Sequence, residues 1–179
     1  MTKFPELLAS FLVSAVGKKL LKVMGSFHVF DSERSQFPDE LEFYFEGEMR
    51  GKIYGNSSGD ALRFSLDSLV EFDMEEHGFV KNFCVSNEPC FMDVVGRKLE
   101  SSLVVRSLEF EDRLNAVDEL GVQMQFCENH KLSILNLGDE LYIFNEVPEK
   151  LIDEYKFVFI PVTACASQRR VRRDKENLR

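Results

Sequence analysis

Residues Gly121 to Glu146 read GVQMQFCENHKLSILNLGDELYIFNE, and this run decides the fold. Val122, Met124 and Phe126 alternate with Gln123, Gln125 and Cys127. That period of two is the signature of a half-buried strand, because successive side chains point to opposite faces of a sheet. Lys131 to Leu135 and Glu140 to Phe144 repeat the pattern, with Leu132 and Ile134, then Leu141 and Ile143, on one face. Turns are predicted at Glu128-Asn129 and at Asn136 to Asp139. Gly138 can adopt positive φ without a Cβ clash, and Asp139 can bond its own backbone. The run is therefore a three-stranded antiparallel meander, a scaffold rather than a chemical motif.

Outward from it, a second region follows the same plan. Leu41, Phe43 and Phe45 alternate with Glu42, Tyr44 and Glu46, then Gly51 to Tyr54 and Ala61 to Leu66 read as strands around the turn cluster GNSSGD. Phe45 and Phe126 lie 81 residues apart, as do Ile53 and Ile134, while Asn56 and Asn136 lie 80 apart. Residues 41–66 and 122–145 thus read as two copies of one meander, although any two meanders share such features. A duplicated unit favours two related sheets packed face to face. Pro5 opens an N-terminal helix that stops at Gly17, and a strand follows through Leu21, Val23, Phe27 and Val29 to Phe30. Asp31 to Asp39 reads as a polar loop, Phe79 to Val85 as a strand, and Val94 to Phe110 as a long strand with a bend at Gly96. Glu111 to Leu120 reads as a connection that can hold a short helix. Pro148 starts a short C-terminal helix, and Phe157 to Val162 is a last strand with Pro161 at its end or on a sheet edge. The expected architecture is mainly β, an α+β chain of antiparallel meanders in one domain over residues 1–162. Residues 163–179 form a basic tail with too few apolar residues to pack, expected to be disordered.

Charge is unevenly spread. The tail from Thr163 carries six basic and two acidic residues, so the net −9 of the chain places −13 on residues 1–162. An acidic body repels phosphate backbones and anionic membranes, which argues against direct binding of either by the folded part. It attracts a basic protein, or it serves only solubility. The tail's arginine pairs resemble short nucleic-acid patches but lack interleaved aromatic residues for base stacking. Cys84, Cys90, Cys127 and Cys165 form no CxxC pair and no metal-type spacing with histidine, so a reducing cytoplasm is the simplest setting. Within strand-like runs, Cys84 and Cys127 are expected to act as small apolar side chains. Leu7 to Val16 is too short to span a bilayer and lacks a signal peptide's basic start and small-residue cleavage site. Its apolar residues Phe4, Leu7, Leu8, Phe11, Leu12 and Ala15 recur at helical spacing, as in a docking helix.

No nucleophile elbow, phosphate-binding loop, zinc-binding pattern or cofactor fingerprint is present, so neither a catalytic set nor a cofactor or metal is expected. His77, next to Glu75 and Glu76, is the one place where histidine and carboxylates adjoin; it reads as a solvated surface or, less economically, as a hydrolase site. The acidic run Glu71, Asp73, Glu75 and Glu76 can steer and pair with a basic partner. Asp139 and Glu140, at the corresponding turn of the other meander, are candidates for the same partner-binding face. Solvation alone is the alternative, since exposed ion pairs contribute little.

The run from Gly96 through Leu120-Gly121, continued by LSILNLGDELYIFNEVPEKL, resembles small bacterial immunity-type proteins of polymorphic or contact-dependent toxin systems. The likeness covers about a third of the chain and rests on scaffold residues. It implies a cytoplasmic, non-enzymatic inhibitor whose acidic body masks the active site of a basic toxin. The basic tail departs from that pattern. The alternative from another class is a structural protein that assembles through β edges.

Overall fold

A computed structural model describes residues 4–56, 61–108, 119–138 and 140–162. Its elements are α1 (Phe4–Ala15), β1 (Leu20–Phe30), β2 (Glu33–Arg34), β3 (Glu40–Phe45), β4 (Met49–Gly55), β5 (Leu62–Ser65), β6 (Phe72–Asp73) and β7 (Phe79–Cys84). There follow α2 (Pro89–Met92), β8 (Leu99–Ser107), β9 (Gly121–Phe126), β10 (His130–Leu137), β11 (Glu140–Phe144), α3 (Glu149–Tyr155) and β12 (Phe157–Pro161). All strand pairs are antiparallel, in one sheet ordered β5-β4-β3-β1-β7-β6, with β2 paired to β1, and a second ordered β11-β10-β9-β8-β12. The fold is mainly β, with an N-terminal and a short C-terminal helix, as the alternation predicts.

The two halves run the same course. In each, a long strand (β1 or β8) pairs on one side with a three-stranded meander and on the other with the last strand of the half (β7 or β12). Equivalent residues meet where the halves join. Lys19 forms an isolated antiparallel bridge with Lys98, and Asn136 Nδ2 donates to Asn56 Oδ1 at 3.3 Å across 80 residues of chain. Self-equivalent contacts at two places are the mark of an approximate two-fold relation, in which a residue near the axis touches its own counterpart. Asn136 is fully buried; it also donates to the Ala61 carbonyl at 2.8 Å and packs so tightly on Gly55 that a Cβ there would sit 2.6 Å from its Oδ1.

The inward faces of both sheets feed one core. Val23, Phe27, Leu41, Phe43, Phe45 and Ile53 from the first sheet cluster with Leu99, Val122, Met124, Phe126, Leu132 and Ile134 from the second. Helix α1 adds Leu8, Phe11, Leu12 and Ala15 to it and packs on β5 and β8. Leu12, with no exposed surface, contributes about 2 kcal/mol by burial. Gly17, at φ 85°, ends the helix as expected.

Several local expectations change. Leu21 is exposed and Leu20 buried, because an irregularity between Leu20 and Lys22 shifts the alternation by one residue. The polar loop after β1 holds a hairpin closed by Asp31 and Ser32, both at positive φ. Gly96, at φ 87°, lies in a turn ahead of β8 rather than inside a strand. Cys84 is exposed on β7 rather than packed in the core, and Cys127 lies in a single 3₁₀ turn. The predicted connecting helix near 111–120 and the tail from 163 lie largely or wholly outside the described residues, as does the turn dipeptide Gly59-Asp60. No helix among the described residues is long and apolar enough to cross a membrane.

Candidate functional site

Each half must carry its chain from one edge of its sheet to the other, across the outer face. In the second half this crossing is α3. It closes a small apolar cluster of Val105, Leu120, Leu135, Val147 and Phe157, with Leu151, Ile152 and Tyr155 of the helix packed on it. In the first half the crossing is the irregular strap Leu66–Phe79, and it joins neither apolar cluster. Two passages of the same topology have thus been given opposite surfaces.

The strap's sequence explains its shape. Val70-Glu71-Phe72-Asp73-Met74-Glu75 alternates apolar and acidic residues, which suits an extended segment rather than a helix. Phe72 and Asp73 pair with Val80 and Phe79 at the edge of β7. Glu71 Oε1 accepts from the Asn82 N–H at 2.8 Å, and the Leu69 N–H donates to Glu42 Oε2 at 3.4 Å. Asp73 Oδ1 accepts from the Glu75 N–H at 2.7 Å, starting a 3₁₀ turn over Glu75–His77. The single helical turn thus comes at the end of the acidic run. His28 Nε2 donates to the His77 carbonyl at 2.5 Å, fixing this turn to β1. Gly78 follows at φ 95°, with no room for a side chain against the Val29 carbonyl.

Beneath the strap lies a cleft of about 560 Å³, lined by Ser26, His28, Asp39, Glu40, Lys52 and Val80 on the sheet side and by Val70, Phe72 and Met74 of the strap. Register places these groups: Phe72, Val80 and His28 form one cross-strand row, and Asn82, Ser26 and Glu40 the next. Val70 and Phe72 are 64% and 53% exposed, so the strap holds the cleft open instead of filling it.

The cleft is electrically lopsided. Lys52 Nζ is held by both oxygens of Glu40, at 2.9 and 3.0 Å. Asp39 has no ion-pair partner among the described residues. Loss of water around it raises its carboxyl above the ordinary value, opposed by His28 and reinforced by the charge of Glu40. Nearby, Glu42 is 2% exposed; its Oε2 accepts from Tyr44 O–H at 2.9 Å, while its Oε1 has no hydrogen bond among the described residues. Arg50 stands 3.8 Å from that oxygen. Burial first, then the hydrogen bond to Glu42, pushes the Tyr44 phenol up.

Of the residues singled out from sequence, Glu71, Asp73, Glu75 and Glu76 share the strap and are exposed. Glu140 begins β11 in the other sheet, where it accepts from Tyr142 O–H at 3.0 Å, and no hydrogen bond or ion pair among the described residues links it to the strap. Asp139 lies outside the described residues. His77 Nε2 is 3.7 Å from Glu76 Oε1 with both side chains mostly in water, a surface pair with no orienting third group. No cluster of metal-type ligands occurs among the described residues. Sequence reasoning missed the apolar half of the strap, although the VEFDME alternation carried it. It also missed His28, Asp39, Glu40 and Lys52, which three separate segments bring together. The chain matches no known family model, no curated protein and no solved structure.

Proposed function

We propose that the protein is a non-enzymatic binding module that docks a basic protein through the strap Leu66–Phe79 and the cleft behind it. The observation that carries this reading is the strap's composition in place. Five carboxylates and no lysine or arginine accompany exposed Leu66, Val70, Phe72, Met74 and Phe79 on a segment anchored at both ends. Apolar anchors beside charges of one sign are the ingredients of a protein interface, the anchors supplying affinity and the charges steering encounter. The likeness to immunity-type proteins adds the class of partner, a basic toxin domain whose active site the acidic face would cover, within a cytoplasm that keeps Cys84, Cys90 and Cys127 reduced.

The test compares the protein with its Glu75→Lys/Glu76→Lys variant as baits at low salt. These two carboxylates leave the anchoring bonds of Glu71 and Asp73 intact. The expected result is one basic protein recovered in near-equal amount by the parent, released by salt, and associating about tenfold more slowly with the variant once purified. Equal association of both baits overturns the strap as the docking face. Recovery of the bait alone as a defined oligomer favours assembly through β edges.

A further inference from the structure

We infer that the cleft beneath the strap is a receptor for a single arginine or lysine side chain of the partner, with Asp39 as its counter-ion. The inference deepens the docking reading above and rests on it for the source of the side chain. Three observations converge. The first is shape: about 560 Å³ between a polar sheet face and the apolar row of Val70, Phe72 and Met74 admits one long side chain. The second is chemistry. A cation on a flexible apolar stem needs carbon surface along its length and a carboxylate at its end, and these are the two walls of this cleft. Phe72 also brings an aromatic ring to the lining, a group that attracts cations.

The third is the charge balance. Glu40 is satisfied by Lys52, whereas Asp39, exposed at the cleft, forms no ion pair with a lysine or arginine among the described residues and is opposed only by His28. The five strap carboxylates and the buried Glu42 add negative potential around the opening. An anionic ligand would be repelled by these carboxylates, and a neutral apolar one would leave Asp39 as it is. A guanidinium or ammonium group supplies what the site lacks, and a guanidinium can engage the carboxylate through two parallel hydrogen bonds. Another cavity, about 600 Å³ beside α3, lacks this division, because its apolar residues Val147, Ile152 and Phe159 already pack in the neighbouring cluster.

The experiment titrates the isotope-labelled full chain with N-acetyl-arginine-N-methylamide and, in parallel, with the uncharged N-acetyl-norleucine-N-methylamide. Saturable amide shifts are expected at Ser26, His28, Asp39 and Val70 to Met74 with the arginine probe, at millimolar affinity. The norleucine probe should bind at least tenfold more weakly. Asp39→Asn should weaken the arginine probe about tenfold. Lys52→Met should tighten it severalfold, because Glu40 is then released; a mere folding defect would weaken it instead. Equal binding of both probes, shifts elsewhere on the surface, or indifference to Asp39→Asn overturns the inference. The probe needs no partner, so the two readings fail separately. A cleft that takes arginine while Glu75→Lys/Glu76→Lys leaves partner association unchanged keeps this proposal and sinks the strap as docking face.

Discussion

Replacing Gly78 by alanine should unlatch the strap without unfolding the protein. Gly78 has φ 95° and ψ −147°, a backbone region that costs a side-chain-bearing residue about 1–3 kcal/mol. The new Cβ would also overlap the Val29 carbonyl oxygen, which belongs to a residue paired with Phe79 in the β1–β7 ladder and cannot retreat cheaply. The native strap is then disfavoured by about 3 kcal/mol or more. Against this stand its anchors: His28 to the His77 carbonyl, Asn82 to Glu71, Leu69 to Glu42, and the short β6–β7 ladder. At about 1 kcal/mol net each, they sum to roughly 4 kcal/mol. Strain and anchoring are therefore comparable, and the cheaper response is release of the segment, since residues 70–77 bury no side chain. Hydrogen exchange should show amide protection across residues 70–78 falling about 100-fold, at tenfold per 1.4 kcal/mol. Protection in β3, β9 and β10 should not move. A uniform loss across all strands, or no loss in the strap, refutes the reasoning.

Asn136→Ala should cost about 2 kcal/mol, since it removes the donor to Ala61 and Asn56 from a site with no exposure, and lower the melting temperature by about 4–8 °C; a loss below about 0.5 kcal/mol in chemical denaturation would refute it. Alkylation followed by peptide mapping should find Cys84 modified well before Cys90. Hydrogen bonding with Ser86 lowers the exposed Cys84 thiol, whereas burial, then Glu88, raises Cys90, so the thiolate fraction at neutral pH is larger at Cys84. Ser86→Ala should narrow that gap. Asp39→Asn should stabilise the protein slightly near neutral pH. The folded-state carboxyl lies above its ordinary value of 3.8, so ionisation is costlier in the folded chain, and the destabilisation is present above the folded value and lost as pH falls through 3.8. Denaturation midpoints of the parent and variant should converge below that pH, and a gap that widens in acid would contradict the sign.

The strands were legible because alternation is local: Val122-Gln123-Met124-Gln125-Phe126 declares its inward face without reference to anything else in the chain. Misreadings arose where one residue shifts the phase, as between Leu20 and Lys22, which moved Leu21 to the surface. Cys84 was misplaced for a related reason, since the two faces of β7 are not distinguished by hydropathy alone. The acidic half of the strap was visible as composition, yet its apolar half went unread. The cleft was out of reach. Ser26 and His28, Asp39 and Glu40, Lys52, and Val70 to Met74 converge only through the pairing of β1 with β3 and β7, β3 with β4, and β6 with β7.

The contrast between the halves is the strongest argument for where function lies. Both sheets present an outer face that a crossing segment must cover, and α3 shows that the topology permits an apolar seal. Had the strap packed Val70, Phe72 and Met74 in the same way, each would have contributed roughly 1.5–3 kcal/mol of burial. Instead, the first half leaves this surface in water, places carboxylates between the apolar residues, and fixes the segment with a glycine in a conformation few other residues tolerate. Local choices that forgo available stability, concentrated on one face of an otherwise consistent fold, are where a functional constraint is expected. A partner that buries the same three side chains would recover the forgone energy on binding. The carboxylates between them would favour a partner carrying positive charge.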